Sequence, residues 1–225
     1  MVRPPASRPP RNAPADAGHP IGGEIADVLE GLFHRVRLPH LLGHHNSITV
    51  MAAFSFINGC LSIAIMSLAA LITSQPFVFP SLGPTAFLFF FTPTAPSASP
   101  RNTIYGHAIG AAAGWASLWI FGLQHAGPAL AVGVTWPRVL AAALSLGLTS
   151  GLMVLARAPH PPAGATTLII SLGLLPHLQQ LGVLMFAVVL LVLQAIIINR
   201  LAGIDYPLWA ARRAIAPPEQ RIDLG

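Results

Sequence analysis

Two short stretches, SLGPT at 81–85 and RAPHPPAGATT at 157–167, set hydroxyls, an arginine and a histidine beside proline and glycine inside an otherwise apolar chain. The donors are Ser81, Thr85, Thr166 and Thr167, with His160 at the head of the second stretch and Arg157 just before it. Another polar group, Arg101, Asn102 and His107, stands where a further apolar run begins. Hydroxyls donate hydrogen bonds without adding charge, and imidazole exchanges a proton between about pH 5 and 8. Such a set suits a small anion whose movement is coupled to protons. From Ile48 to Asn199 there is no Asp, Glu or Lys, so no carboxylate stands there to bind sodium, relay protons or repel an anion. Nucleophile, base and acid do not occur together, and no metal-ligand spacing is present, so no catalytic residue, metal or cofactor is expected.

The elements that must carry these residues belong to a membrane protein. Of 225 residues 54% are hydrophobic and 8% charged, against about 25% charged in soluble domains. The basic residues flank apolar runs instead of lining one face, which excludes nucleic acid as a partner. Residues 1–20, rich in Pro, Ala and Arg, are expected to be a disordered cytoplasmic tail. Residues 21–38 carry apolar side chains every three or four positions, acids first and bases last, the pattern of an amphipathic helix lying on the membrane surface. HLLGHH at 40–45 is expected to be a solvated connection, and 203–225 a cytoplasmic tail.

Four apolar segments, 47–73, 102–123, 138–156 and 178–199, each have the roughly 20 residues that span a bilayer. Gly106, Gly110 and Gly114 have the spacing of close helix packing, and Asn58 and Gln194 are expected to bond between helices. Two further segments, 75–93 and 156–176, begin extended and Pro-rich, then run apolar for half a helix. Pro80, Gly83 and Thr85 fall on Pro161, Gly164 and Thr166 at a constant offset of 81. The fold expected is therefore all-α and polytopic: four full spans plus two broken segments, in a two-fold repeat (47–123 and 138–199). If the broken segments re-enter, there are four crossings, the halves run parallel and Arg101 and Arg157 fall outside; if they cross, there are six, the halves are inverted and eleven of the twelve arginines lie inside, which the positive-inside rule favours. Non-helical backbone at membrane depth survives only where protein or a wet cavity surrounds it. In inverted-repeat carriers two such breaks meet near the midplane, with half-helix N-termini facing an anion. Half-helices are expected to start near 81–85 and 162–166 and to offer free N–H groups there. Plainer roles stand beside these: a Pro-Pro kink, a His107 that only joins helices, and interface anchoring for Arg101 and Arg157.

The triplet His160, Pro161, Pro162, with SLGPTAFLFF (81–90) and PRNTIYGH (100–107), resembles the HPP family of integral membrane proteins over roughly residues 40–200. That resemblance implies a transporter, and nitrite as its anion, since plastid and cyanobacterial members are associated with nitrite transport. The expected substrate-binding residues are Ser81, Gly83, Thr85, His107, His160, Gly164, Thr166 and Thr167, with Arg157, Arg101 and Asn102 as secondary candidates. The function expected is a carrier or channel-like permease, not an enzyme, in a bacterial inner membrane with both termini cytoplasmic. The expected partners are a small inorganic anion, protons and the lipid bilayer, with homo-oligomers open. The alternatives are a membrane enzyme using His107 or His160, and a structural or sensory subunit.

Overall fold

Proline and glycine punctuate the apolar chain, and the helices form between them. In the computed structural model, which describes residues 37–211, the order is α1 (Leu38–His44), α2 (Ser47–Thr73), α3 (Leu82–Phe91), a 3-10 turn (Pro96–Ala98), α4 (Pro100–Ile120), α5 (Ala129–Val132), α6 (Trp136–Leu155), α7 (Ala163–Ser171) and α8 (Leu178–Leu201). The expected tail at 1–20 and nearly all of the surface helix at 21–38 lie outside the described residues. Asn46 starts α2 by accepting from the Ile48 and Thr49 N–H groups at 3.0 and 3.1 Å. Pro100 and Pro137 sit in the first turns of α4 and α6, where their missing N–H is harmless, so both helices begin two residues earlier than expected.

Among the described residues three helices, α2, α6 and α8, are long and apolar enough to cross a membrane. The chain is therefore a polytopic membrane protein. The fourth expected span forms as the 21-residue α4 but falls outside that set. The reason is its environment: α4 buries Asn102, Gly106, His107, Gly110, Gly114 and Ser117 among other helices, so it needs small and polar side chains where a lipid-facing helix needs large apolar ones. By contrast α2 exposes Phe56, Ile57, Leu68, Leu71 and Ile72. The two broken segments give helices of only ten and nine residues, about 15 Å each, half of a hydrocarbon core.

The two short helices pack in similar ways. The short α3 lies against the long α2 before it and against α8, and the short α7 lies against α6 before it and against α4. The α4–α7 seam is close because three glycines line it. A Cβ at Gly106 would stand 2.6 Å from the His160 Cβ, one at Gly110 2.7 Å from the Ala163 carbonyl, and one at Gly114 2.8 Å from the Thr167 carbonyl. The expected interhelical bonds of Asn58 and Gln194 are not formed: the Asn58 amide donates to Phe54 of its own helix, and the buried Gln194 amide has no partner.

Hydrogen bonds identify which helix ends lie together. Arg101, at the start of α4, donates to the carbonyls of Arg157 and Ala156 just past α6, at 3.0 and 3.3 Å. Leu38 N–H donates to Ala202 at the end of α8, and Arg101 N–H to Trp209. Arg138, at the start of α6, donates to Ser171 at the end of α7. Residues 203–211 of the expected tail are folded onto the bundle, where the Tyr206 hydroxyl donates to the Ala98 carbonyl at 2.6 Å. The expected connection at 40–45 is largely helical, as α1.

Candidate functional site

Both short helices begin where the sequence offset places them, and their heads meet. Thr85 lies in the first turn of α3 and Thr166 in the first turn of α7, with the His107 ring from α4 between them. His107 Nε2 is 3.0 Å from Thr85 Oγ1, and its Nδ1 is 2.7 Å from Thr166 Oγ1. His160 Nε2 stands 3.2 Å from His107 Nε2 and 3.2 Å from Thr85 Oγ1. Its Nδ1 is 2.8 Å from the Ser97 carbonyl of the 3-10 turn, and 3.4 Å from Thr103 Oγ1. Ser81, Thr85, His107, His160, Thr166 and Thr167 are all fully buried.

Chemistry fixes where the protons sit. The Ser97 carbonyl only accepts, so His160 Nδ1 carries a hydrogen and the Nε2 of the neutral ring accepts. His107 Nε2–H then donates to His160 Nε2, with Thr85 Oγ1 as a second acceptor. That leaves His107 Nδ1 to accept from the Thr166 hydroxyl, while the Thr85 hydroxyl donates to the Ser81 carbonyl at 3.0 Å. The chain from Thr166 through both imidazoles to Ser97 closes with both rings neutral. Two hydroxyls at the same helix heads stay outside it: Ser81 Oγ and Thr167 Oγ1 are buried with no partner. An unmet buried donor costs about 1–3 kcal/mol, so each is a place where a guest would be stabilised.

The remaining candidates divide. Gly164 is half-buried against Leu146, whereas Gly83 is exposed and a Cβ there would meet nothing within 4 Å. The expected free N–H groups at the head of α7 are absent, because Ala163, Gly164 and Ala165 donate to the carbonyls of His160, Pro161 and Pro162. The Pro-Pro turn holds those carbonyls within reach of the next three amides. Arg157 is exposed at φ +49°, and its carbonyl rather than its guanidinium is used. Arg101 also holds Asn102 Oδ1 at 2.9 Å and lies 5.1 Å over the Tyr105 ring, so it ties the last turn of α6 to α4, a favourable place for a cation at a helix C-terminus. The Asn102 amide donates to Pro96.

Sequence reasoning passed over Arg138, which is buried and bonded to the Ser171 and Gly127 carbonyls at 3.0 and 2.9 Å. Its signal was its place, a lone arginine one turn into an apolar run. Tyr206 was also missed. Its buried hydroxyl, which burial pushes above the ordinary phenol range, fastens the turn that supplies the Ser97 carbonyl.

A family model described as HPP, transmembrane region, matches residues 44–207. The chain belongs to the HPP transmembrane family. No curated protein and no solved structure matches it. The HPP region takes in both broken segments, the imidazole pair and Tyr206. Within the HPP triplet, His160 supplies the ring and Pro162 stands at the cap of α7. Two successive prolines bring no N–H into this turn, so no donor there is left unmet.

Proposed function

We propose that the chain is a carrier for a small inorganic monoanion, nitrite first among them, working through a site shared by its two halves. The observation behind this is that Thr85 and Thr166, equated by the 81-residue offset, bond opposite nitrogens of one imidazole. Two helix N-termini meeting there bring partial positive charge. Ser81 and Thr167 add unpartnered hydroxyls, and no carboxylate lies between Ile48 and Asn199. An acyl-transfer enzyme built on Thr166 and His107 is disfavoured, because the α7 amides that would serve as oxyanion donors are spent on carbonyls 160–162.

Six crossings with inverted halves agree with the contacts. The end of α3 is held by Ser55, in the first third of α2, through the Phe90 carbonyl, and by Asn199, in the last turns of α8, through Phe89. The end of α7 is held by Arg138 at the start of α6. Each broken segment thus returns the chain to the end of the bundle where its preceding long helix began. Phe90 and Ser171, the two carbonyls so held, are themselves 81 apart. Arg37, Arg101, Arg157 and Arg200 gather at one end, whereas Arg138 at the other is buried against carbonyls. The positive-inside tendency then puts the first end, with both ends of the described chain, in the cytoplasm of a bacterial cell.

Purified protein in liposomes should take up nitrite faster than protein-free vesicles, and folded His107→Ala should not. Failure to move nitrite, nitrate, formate or chloride under any imposed pH gradient would contradict the proposal.

A further inference from the structure

An anion leaving water for a sealed site needs a nearby positive charge, because dipoles and hydroxyls offset only part of the desolvation cost. Arginine is the usual source, and among the described residues the arginines are held by other partners or turned to the surface. Arg101 is on the Ala156 and Arg157 carbonyls, Arg138 on Ser171 and Gly127, and Arg200 on Tyr206. Arg157 and Arg37 are exposed, and the chain has no lysine. The elements around His107 supply little else. α3, α7 and the 3-10 turn carry no titratable side chain, α4 adds Arg101 and Tyr105, α6 adds Arg138, and the lead into α7 adds Arg157 and His160. α8 adds Arg200, and the segment after it Asp205 and Tyr206.

We infer that the charge admitting the anion is a proton taken up by the His107–His160 pair, so that one proton and one monoanion cross together and no net charge moves. This rests on the carrier function proposed above. The proton adds to the lone pair of His107 Nδ1, the nitrogen 2.7 Å from Thr166 Oγ1. Thr166, until then the donor to that nitrogen, turns and accepts from the new N–H. Its own hydrogen is freed for the anion, and the unpartnered Thr167 hydroxyl lies on the same helix. The His107 Nε2–H bond to His160 and the His160 Nδ1–H bond to Ser97 stay in place. When the anion leaves, Nδ1 gives up the proton and Thr166 turns back. One added charge balances one negative charge, so monoanions are carried and dianions are left uncompensated.

The test uses the full chain in liposomes with nitrite outside, a pH dye inside, protein-free vesicles as background, and the membrane potential clamped with potassium and valinomycin. The expected result is one proton taken up per nitrite, the same rate at either sign of the potential, and a rate rising about tenfold per unit of acidification above the titration range of the pair. Folded His107→Gln should lose that pH dependence. Nitrite uptake that follows the potential without proton uptake would overturn the inference and leave the carrier function standing. No nitrite flux under any condition would remove both. The wild-type proton count decides the matter even if His107→Gln does not fold.

Discussion

The segment from Pro80 to Phe91 and the segment from Pro161 to Ser171 share one plan and differ in chemistry. Both place a threonine in the first turn of a short helix, and both bring it to His107. At the offset that equates them, the second has His160 where the first has Phe79, both buried. The second is also pressed onto three glycines of α4, and its end is held by a buried arginine where Ser55 holds the first. The common frame fixes where the two heads meet. The departures from it give the second segment a further imidazole, a buried arginine at its end and the tightest packing.

That contrast can be broken in graded steps. The largest effect is expected at the glycine seam: Gly110→Ala drives a methyl against the Ala163 backbone carbonyl and should cost about 3 kcal/mol or more, or displace α7. Gly83→Ala, in open space in the first segment, should be neutral or stabilise by up to about 1 kcal/mol. Thermal unfolding in detergent measures both, and equal losses would remove the asymmetry. Next come the helix ends. Arg138→Met removes charge-assisted bonds to Ser171 and Gly127 and should cost about 1.5–3 kcal/mol, whereas Ser55→Ala, losing one neutral bond to Phe90, should cost about 0.5–1.5. The smallest effects belong to the exits of the long helices. Ser74 and Arg157 stand at φ +55° and +49°, so Ser74→Gly and Arg157→Gly should each stabilise by about 1 kcal/mol, seen as a higher melting temperature.

Much of this frame was legible in the sequence because Pro and Gly act locally. Pro80 and Pro161 marked the heads of α3 and α7. The glycine spacing at 106, 110 and 114 pointed to a close seam, which the structure places against α7. What escaped depends on contacts distant in sequence. Nothing local to His160 tells that Ser97 accepts from its Nδ1, 63 positions away, and nothing local to Arg138 tells that it reaches Ser171. The free amides expected at the head of α7 failed for a local reason instead, since the Pro-Pro turn supplies their acceptors.

The central claim is that the two helix heads act on an anion through one shared imidazole. Equilibrium binding of nitrite to purified protein carrying Thr85→Val, Thr166→Val or both tests it most directly, because valine keeps the shape and removes the hydroxyl. Each single change is expected to weaken binding, and the double change to weaken it by clearly less than the product of the two, the sign of residues working through a common partner. Unaltered affinity, or two losses that simply multiply, would contradict a shared site.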